Sequence, residues 1–208
     1  MRNRCSSNDR GDACSLFLVL SALMVLCVFR ETHSAGLLKC PRQPFVENFN
    51  ISKFVGRWYE IERSFSVFEL ATKCLSIDIS PNKRGQLRVI STSINKWSGN
   101  ENLGVGIAVP GRRDASIYQY KTSSILPNQL RPFAGTYQVI ATDYDSYAVI
   151  WSCSDYTLLY RDFIWIFGRN REIDVNTRAT AYDFLTKRGI DTDRLLITGG
   201  NACAKKKI

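Results

Sequence analysis

Histidine is almost absent: 208 residues hold one, His33. It lies beside an N-terminal apolar stretch expected to be removed, so the remaining chain is read as having none. Without an imidazole there is no Ser-His-Asp or Cys-His catalytic pair and no His-ligated zinc or haem. That lack excludes more enzyme classes than any motif adds. The apolar run Leu16 to Phe29 spans fourteen residues, short of the roughly 20 that cross a bilayer. Arg2, Arg4 and Arg10 precede it and the small residues Ser34, Ala35 and Gly36 follow, the layout of a secretory signal. Asp9 and Asp12 are atypical of such a leader, and an uncleaved anchor is the alternative. Residues 1–35 are therefore expected to be a removed signal peptide. Residues 36–208 are expected to form one extracellular domain, long enough to bury a core. The final residues, Ala204 to Ile208, offer no hydrophobic tail of the kind a GPI anchor requires. Repeats, low-complexity tracts and an interdomain linker are lacking.

Acidic residues are the minority, 19 against 28 Lys and Arg, for a net charge of +9. Lys205, Lys206, Lys207 and the pair Arg112-Arg113 carry part of the excess. Nucleic-acid binding needs a basic stripe with interleaved aromatics, and none is legible. The excess reads as solvated surface. Of seven cysteines, Cys5, Cys14 and Cys27 would leave with the leader. Cys40, Cys74, Cys153 and Cys203 remain; an even set in a secreted chain points to two disulfides, with three pairings open. Asn50-Ile51-Ser52 is an N-glycosylation sequon on a segment expected at the surface.

What is abundant is the strand-and-turn pattern. Eight strands are predicted at Trp58–Ser64, Lys73–Ser80, Gln86–Ile94, Leu103–Val109, Ala115–Tyr120, Gly135–Thr142, Tyr147–Cys153 and Phe163–Gly168. Pro81 to Gly85 and Asp143 to Ser146 read as hairpin connections. A meander of eight short strands without a long crossover favours a closed barrel, the size that holds one small ligand. One helix follows: Asp174 as N-cap, Val175, Ala179, Tyr182 and Leu185 as its apolar stripe, and Gly189 as its stop. The fold class is all-β, an eight-stranded antiparallel up-and-down barrel with one C-terminal helix packed outside.

Three stretches set the chain apart. Gly56-Arg57-Trp58-Tyr59-Glu60-Ile61-Glu62 opens the first strand, Thr142-Asp143-Tyr144 lies between two strands, and Arg169 ends Phe163-Ile164-Trp165-Ile166-Phe167-Gly168. In that order and spacing they resemble the signature regions of the lipocalin family. GRWYEIE, IATDYDSYAVIWSC and DFIWIFGRN look closest to its apolipoprotein D, Lazarillo and bilin-binding branch. The resemblance runs from about Cys40 to Cys203. It implies the pairings Cys40–Cys153 and Cys74–Cys203, and it implies that Arg169 packs across Trp58 at the closed end, a cation–π contact.

With that direction set, Trp165 points into the cavity above Trp58. The expected pocket is lined by Ile77, Ile79, Tyr118, Tyr137, Val139, Trp165 and Phe167, with Leu75 inward on the second strand. On the sixth strand Tyr137, Val139 and Ala141 should share a face. Phe65, Val67, Phe68 and Leu70 fall in the loop after the first strand, where the family's barrel mouth lies. There they would touch ligand, lipid particles or a membrane surface. The resemblance thus implies a secreted carrier for a small hydrophobic molecule such as a fatty acid or sterol-like lipid, with no catalytic residue, metal or nucleic-acid partner. No cofactor is implied beyond a carried lipid or a biliverdin-like tetrapyrrole. A bilin carrier is the nearest alternative, a surface-interaction protein with a filled cavity the more distant one. An enzyme built on a free barrel cysteine is disfavoured, because every retained cysteine has a disulfide partner to hand.

Overall fold

Gly56 stands where any side chain would be strained. Its φ of +102° lies in the left-handed region, and an added Cβ would come within 3.2 Å of Arg169 Nη1. The computed structural model describes residues 35–37, 39–66, 70–122, 135–156, 158–200 and 203. The expected leader, apart from Ala35, lies outside the described residues, as do Val67, Phe68 and the Lys205–Lys207 tail. The described elements are β1 (Ala35–Leu37), α1 (Ile51–Phe54), β2 (Gly56–Ser64), β3 (Thr72–Pro81), β4 (Leu87–Asn95) and β5 (Glu101–Pro110). They continue with β6 (Ile117–Thr122), β7 (Gly135–Thr142), β8 (Tyr147–Tyr156), β9 (Leu159–Gly168), α2 (Val175–Thr186) and β10 (Leu195–Ile197).

Strands β2 to β9 each pair antiparallel with their sequence neighbours, and β9 returns to β2 from Tyr59↔Gly168 to Arg63↔Trp165. That pairing closes an eight-stranded up-and-down barrel, as expected. The segment before the barrel contributes β1. It pairs with Leu159 to Arg161, the part of β9 that runs beyond its register with β2 and would otherwise be a bare edge.

Alternation along β9 builds two cores. Trp165 and Phe167 face inward with Trp58, Ile79, Val139 and Ala148, while Ile164 and Ile166 face outward with Val149 and Trp151. A bulge between Val139 and Ala141 turns Ala141 to the outer face beside Ile140, so it does not share the face of Tyr137 and Val139. Helix α2 covers the outer core through Ala181 and Leu185. Asp174 caps it by accepting from Asn176 N–H and Thr177 N–H, and Gly189 (φ +67°) ends it.

The apolar stripe of α2 is rotated from the expected one. Val175 and Ala179 are exposed, because the helix turns Arg178 and Tyr182 toward Glu62. The fully buried Glu62 carboxylate receives the Tyr182 hydroxyl and pairs with Arg178 Nε at 2.9 Å. Asp162 anchors the segment after the helix: Arg194 donates to it at 2.6 and 2.9 Å, and Trp151 Nε1 at 3.1 Å. Two disulfides, Cys40–Cys153 and Cys74–Cys203, span 113 and 129 positions and tie arm and tail to the wall. A loop of that length is worth about 4–5 kcal/mol in the chain-entropy account.

The closed end is organised around Arg169. Its guanidinium lies 3.7 Å from the Trp58 ring centroid. The same group donates to four carbonyls: Tyr144 at 2.8 Å, Val55 and Arg57 at 3.1 Å, and Lys53 at 2.7 Å. Beneath it, Trp58 is 1% exposed and donates Nε1–H to the Phe54 carbonyl at 2.8 Å. The Thr142-Asp143-Tyr144 turn presents that Tyr144 carbonyl. Thr142 Oγ1 donates to Tyr147 O and accepts from Tyr144 N–H, and Asp143 Oδ1 accepts from the N–H of Asp145, Ser146 and Tyr147. Tyr144 holds a φ of +69°, and its hydroxyl accepts from Asn50 N–H, tying the arm to the turn.

Two predictions follow from this end of the barrel. Trp58→Ala should destabilise by about 3–5 kcal/mol, and Gly56→Ala by about 1–3 kcal/mol through its backbone conformation. Urea unfolding checks both; a change under about 0.5 kcal/mol in either would mean that the closed end is not the anchor. The second concerns acid. Burial alone would raise the Asp143 carboxyl. Hydrogen bonds from the Ser146 hydroxyl and from three backbone N–H groups outweigh it, and hold the group below its ordinary 3.8. A depressed folded pKa gives stability that is complete above the unfolded value and is lost as pH falls through the folded one. The stability advantage of wild type over Asp143→Asn should therefore shrink as pH drops below about 4, and an advantage independent of pH would refute the assignment.

Candidate functional site

Above the Trp58 plug the barrel encloses a cavity of about 470 Å³, within the range of small-molecule sites. Alternation brings Ile77 and Ile79 to it from β3, Tyr118 from β6, Tyr137 and Val139 from β7, and Trp165 and Phe167 from β9. All seven residues expected at the pocket thus share one lumen. Leu75 joins them, and Phe54 reaches in from α1. The signature residues Gly56, Trp58, Thr142, Asp143, Tyr144 and Arg169 are not part of this lining.

One wall is aromatic. Tyr120 meets Tyr137 edge-on at 5.8 Å, Tyr137 meets Trp165 at 5.5 Å, and Phe163 stacks on Trp165 at 5.9 Å. The facing side was missed by sequence reasoning. On β5 the inward row is Asn102, Gly104, Gly106 and Ala108. Leu103, 71% exposed, and Val105, 39% exposed, alternate with that row; they edge the cavity while their side chains stand in solvent. Hydrophobicity is inverted there, so a pattern search picks the wrong face. The glycines give room: a Cβ at Gly106 would meet the Tyr120 ring at 2.4 Å. The signal was Gly104-Val105-Gly106, glycines at alternate positions of a strand, which mark a close approach.

The lining contains no Asp, Glu, Lys or Arg among the described residues. Burial pushes the Tyr118 and Tyr120 phenols up from their usual 10, with the neighbouring Tyr144 and Asp114 adding to the effect on Tyr118. Both remain neutral. Among the described residues no group of three or more His, Cys, Asp or Glu side chains is placed to hold a metal ion. All four described cysteines are in disulfides.

At the mouth, Phe65 and Leu70 flank the β2–β3 connection and are partly exposed; Val67 and Phe68 lie outside the described residues. The neighbouring β4–β5 hairpin, joined to that connection by Lys96 N–H donating to Ala71 O at 2.7 Å, lifts Trp97 to 79% exposure. Leu158, in the β8–β9 connection at the same end, is 76% exposed. Asn50 is exposed; its Oδ1 accepts from Lys53 N–H as the cap of α1.

This architecture has relatives. A family model described as Lipocalin / cytosolic fatty-acid binding protein family matches residues 55–198. Apolipoprotein D of Cavia porcellus is 34% identical over 189 residues, covering 90% of this chain and 96% of that protein. The Lazarillo protein of Schistocerca americana is 25% identical over 193 residues, covering 90% and 85%. Among solved structures, insecticyanin from the tobacco hornworm Manduca sexta shares the fold with a TM-score of 0.69 at 18% identity, covering 83% of this chain and 93% of that one. Gly56, Trp58 and Arg169 at one end, an apolar lumen above them and these matches give one conclusion: the chain belongs to the lipocalin / cytosolic fatty-acid binding protein family.

Proposed function

We propose that this chain is a secreted carrier that takes one small hydrophobic molecule into its barrel lumen and releases it unchanged. The observation that carries the reading is the aromatic-walled cavity of about 470 Å³, free of charged side chains among the described residues and left open by its own walls. The driving force is burial of the ligand's apolar surface, about 25 cal/mol per Å². The disulfides support an oxidising destination, and residues 1–35 act as the leader that delivers the chain there. Carriage rather than catalysis is supported by the pairing of all four described cysteines, which leaves no thiol nucleophile among them. Asn50 is the glycosylation site, on a surface segment outside the barrel.

The mouth faces lipid. Phe65, Leu70, Trp97 and Leu158 expose apolar surface around one end of the barrel, where contact with a lipid particle or membrane would remove it from water. Ligand could then pass between lipid and lumen without crossing bulk solvent.

Two measurements test this function. Trp165→Ala should weaken binding of a lipid probe by about 1–3 kcal/mol while leaving the unfolding midpoint closer to wild type than Trp58→Ala does. Unchanged affinity would move the binding site out of the lumen. For the mouth, Trp97→Ser should reduce co-flotation with phosphatidylcholine–phosphatidylglycerol vesicles several-fold and leave soluble-ligand affinity intact. Equal flotation of both proteins would remove the rim from the account.

A further inference from the structure

The lumen changes character with depth along β4. Its inward residues run Leu87, Val89, Ser91 and Ser93 from closed end to mouth, apolar for two positions and hydroxylic for two. Asn102 lies opposite Ser93 on β5, and Gly104 lies opposite Ser91. Gly104 matters here: a Cβ in its place would come within 2.4 Å of Ser91 Oγ, so the missing side chain leaves that hydroxyl its space. Ser93 is 8% exposed and lines the cavity. Neither serine hydroxyl nor the Asn102 amide has a hydrogen-bond partner among the described residues. Of the three, Ser93 is buried, Ser91 half-buried and Asn102 exposed; polar groups that meet a cavity without a protein partner are free to bond to a molecule held there.

The rest of the lining decides what that something is. Among the described residues of the lining no side chain of opposite charge is present to compensate an ionised head group beside Ser91 and Ser93, and burying such a charge unpaired is strongly unfavourable. Arg161 occupies the inward-facing row of β9, but it lies over Phe163 at 4.7 Å, beyond the lining. An anionic head would have to stay out there. An uncharged oxygen can descend to the serines.

We propose that Ser91, Ser93 and Asn102 form a hydrogen-bonding subsite for an uncharged oxygen, a hydroxyl or carbonyl. The carried molecule is then a neutral amphiphile whose apolar body lies against Trp165, with its polar group turned to β4 and β5. This rests on the lumen reading above and narrows it, favouring neutral lipids over ionised fatty acids.

Matched probes test it. 1-Dodecanol and dodecanoate, titrated at pH 8, share a chain and differ in the charge of the head; quenching of the Trp165 emission, absent in Trp165→Phe, reports occupancy of the lumen. Wild type should bind the alcohol at least tenfold more tightly. The double variant Ser91→Ala/Ser93→Ala should lose roughly three- to thirtyfold for the alcohol, the scale of one or two neutral hydrogen bonds, with dodecanoate unaffected. Its unfolding midpoint, measured in parallel, separates loss of the subsite from loss of fold. Dodecanoate binding more tightly than the alcohol, and weakened by Arg161→Gln, would place the head group at the mouth and overturn the proposal. So would an alcohol affinity indifferent to both serines. If neither probe quenches Trp165, the carrier reading itself fails.

Discussion

The barrel depends on one contact, the Arg169 guanidinium lying over the Trp58 indole. The stacking is worth about 0.5–2 kcal/mol, but its structural reach exceeds that figure. Arg169 also collects carbonyls from the end of α1, from β2 and from the β7–β8 turn. A helix of four residues has no stability of its own, so α1 exists because Arg169 and Asn50 cap its two ends. The clamp closes one end of the lumen and leaves the opposite end as the way in. Burial pulls the guanidinium down from its ordinary value, while Asp145 and Asp143 pull it back; a guanidinium remains a cation at any physiological pH.

The outer layer is held differently. Helix α2 and the segment leading into β10 attach to the barrel through ion pairs to buried carboxylates as well as apolar packing: Glu62 with Arg178 and Asp162 with Arg194; a third buried carboxylate, Glu60, pairs with Arg63 on its own strand β2 at 2.7 Å. Burial pushes the Glu60 carboxyl up and Arg63 draws it back. Such pairs add little net stability compared with apolar replacements, but breaking one leaves an uncompensated charge. They therefore fix where helix and tail sit. The Cys74–Cys203 disulfide secures the same tail covalently.

This division explains what could be read from the sequence. Gly56, Trp58, Thr142 and Arg169 were legible because each serves a local geometry that few residues satisfy. The inward row of β9 was legible because Trp165 and Phe167 alternate around it. Three features were hidden. The bulge at Ile140 breaks the parity of β7, and nothing in Val139-Ile140-Ala141 announces it. The phase of α2 follows the charge of Glu62 on a distant strand rather than the helix's own apolar residues. On β5 the lumen is lined by small and polar residues while leucine and valine face outward, since a cavity that must receive a molecule cannot be filled by its own wall.

The central claim is that the lumen is occupied in use by a small hydrophobic molecule. Solvent extraction of the protein purified from its native secretion, followed by mass spectrometry, tests it most directly. The account predicts one class of small apolar molecule at no more than one per chain, absent from a Val139→Trp variant whose lumen is filled. Extracts with no such molecule, or with equal amounts from both proteins, would contradict it.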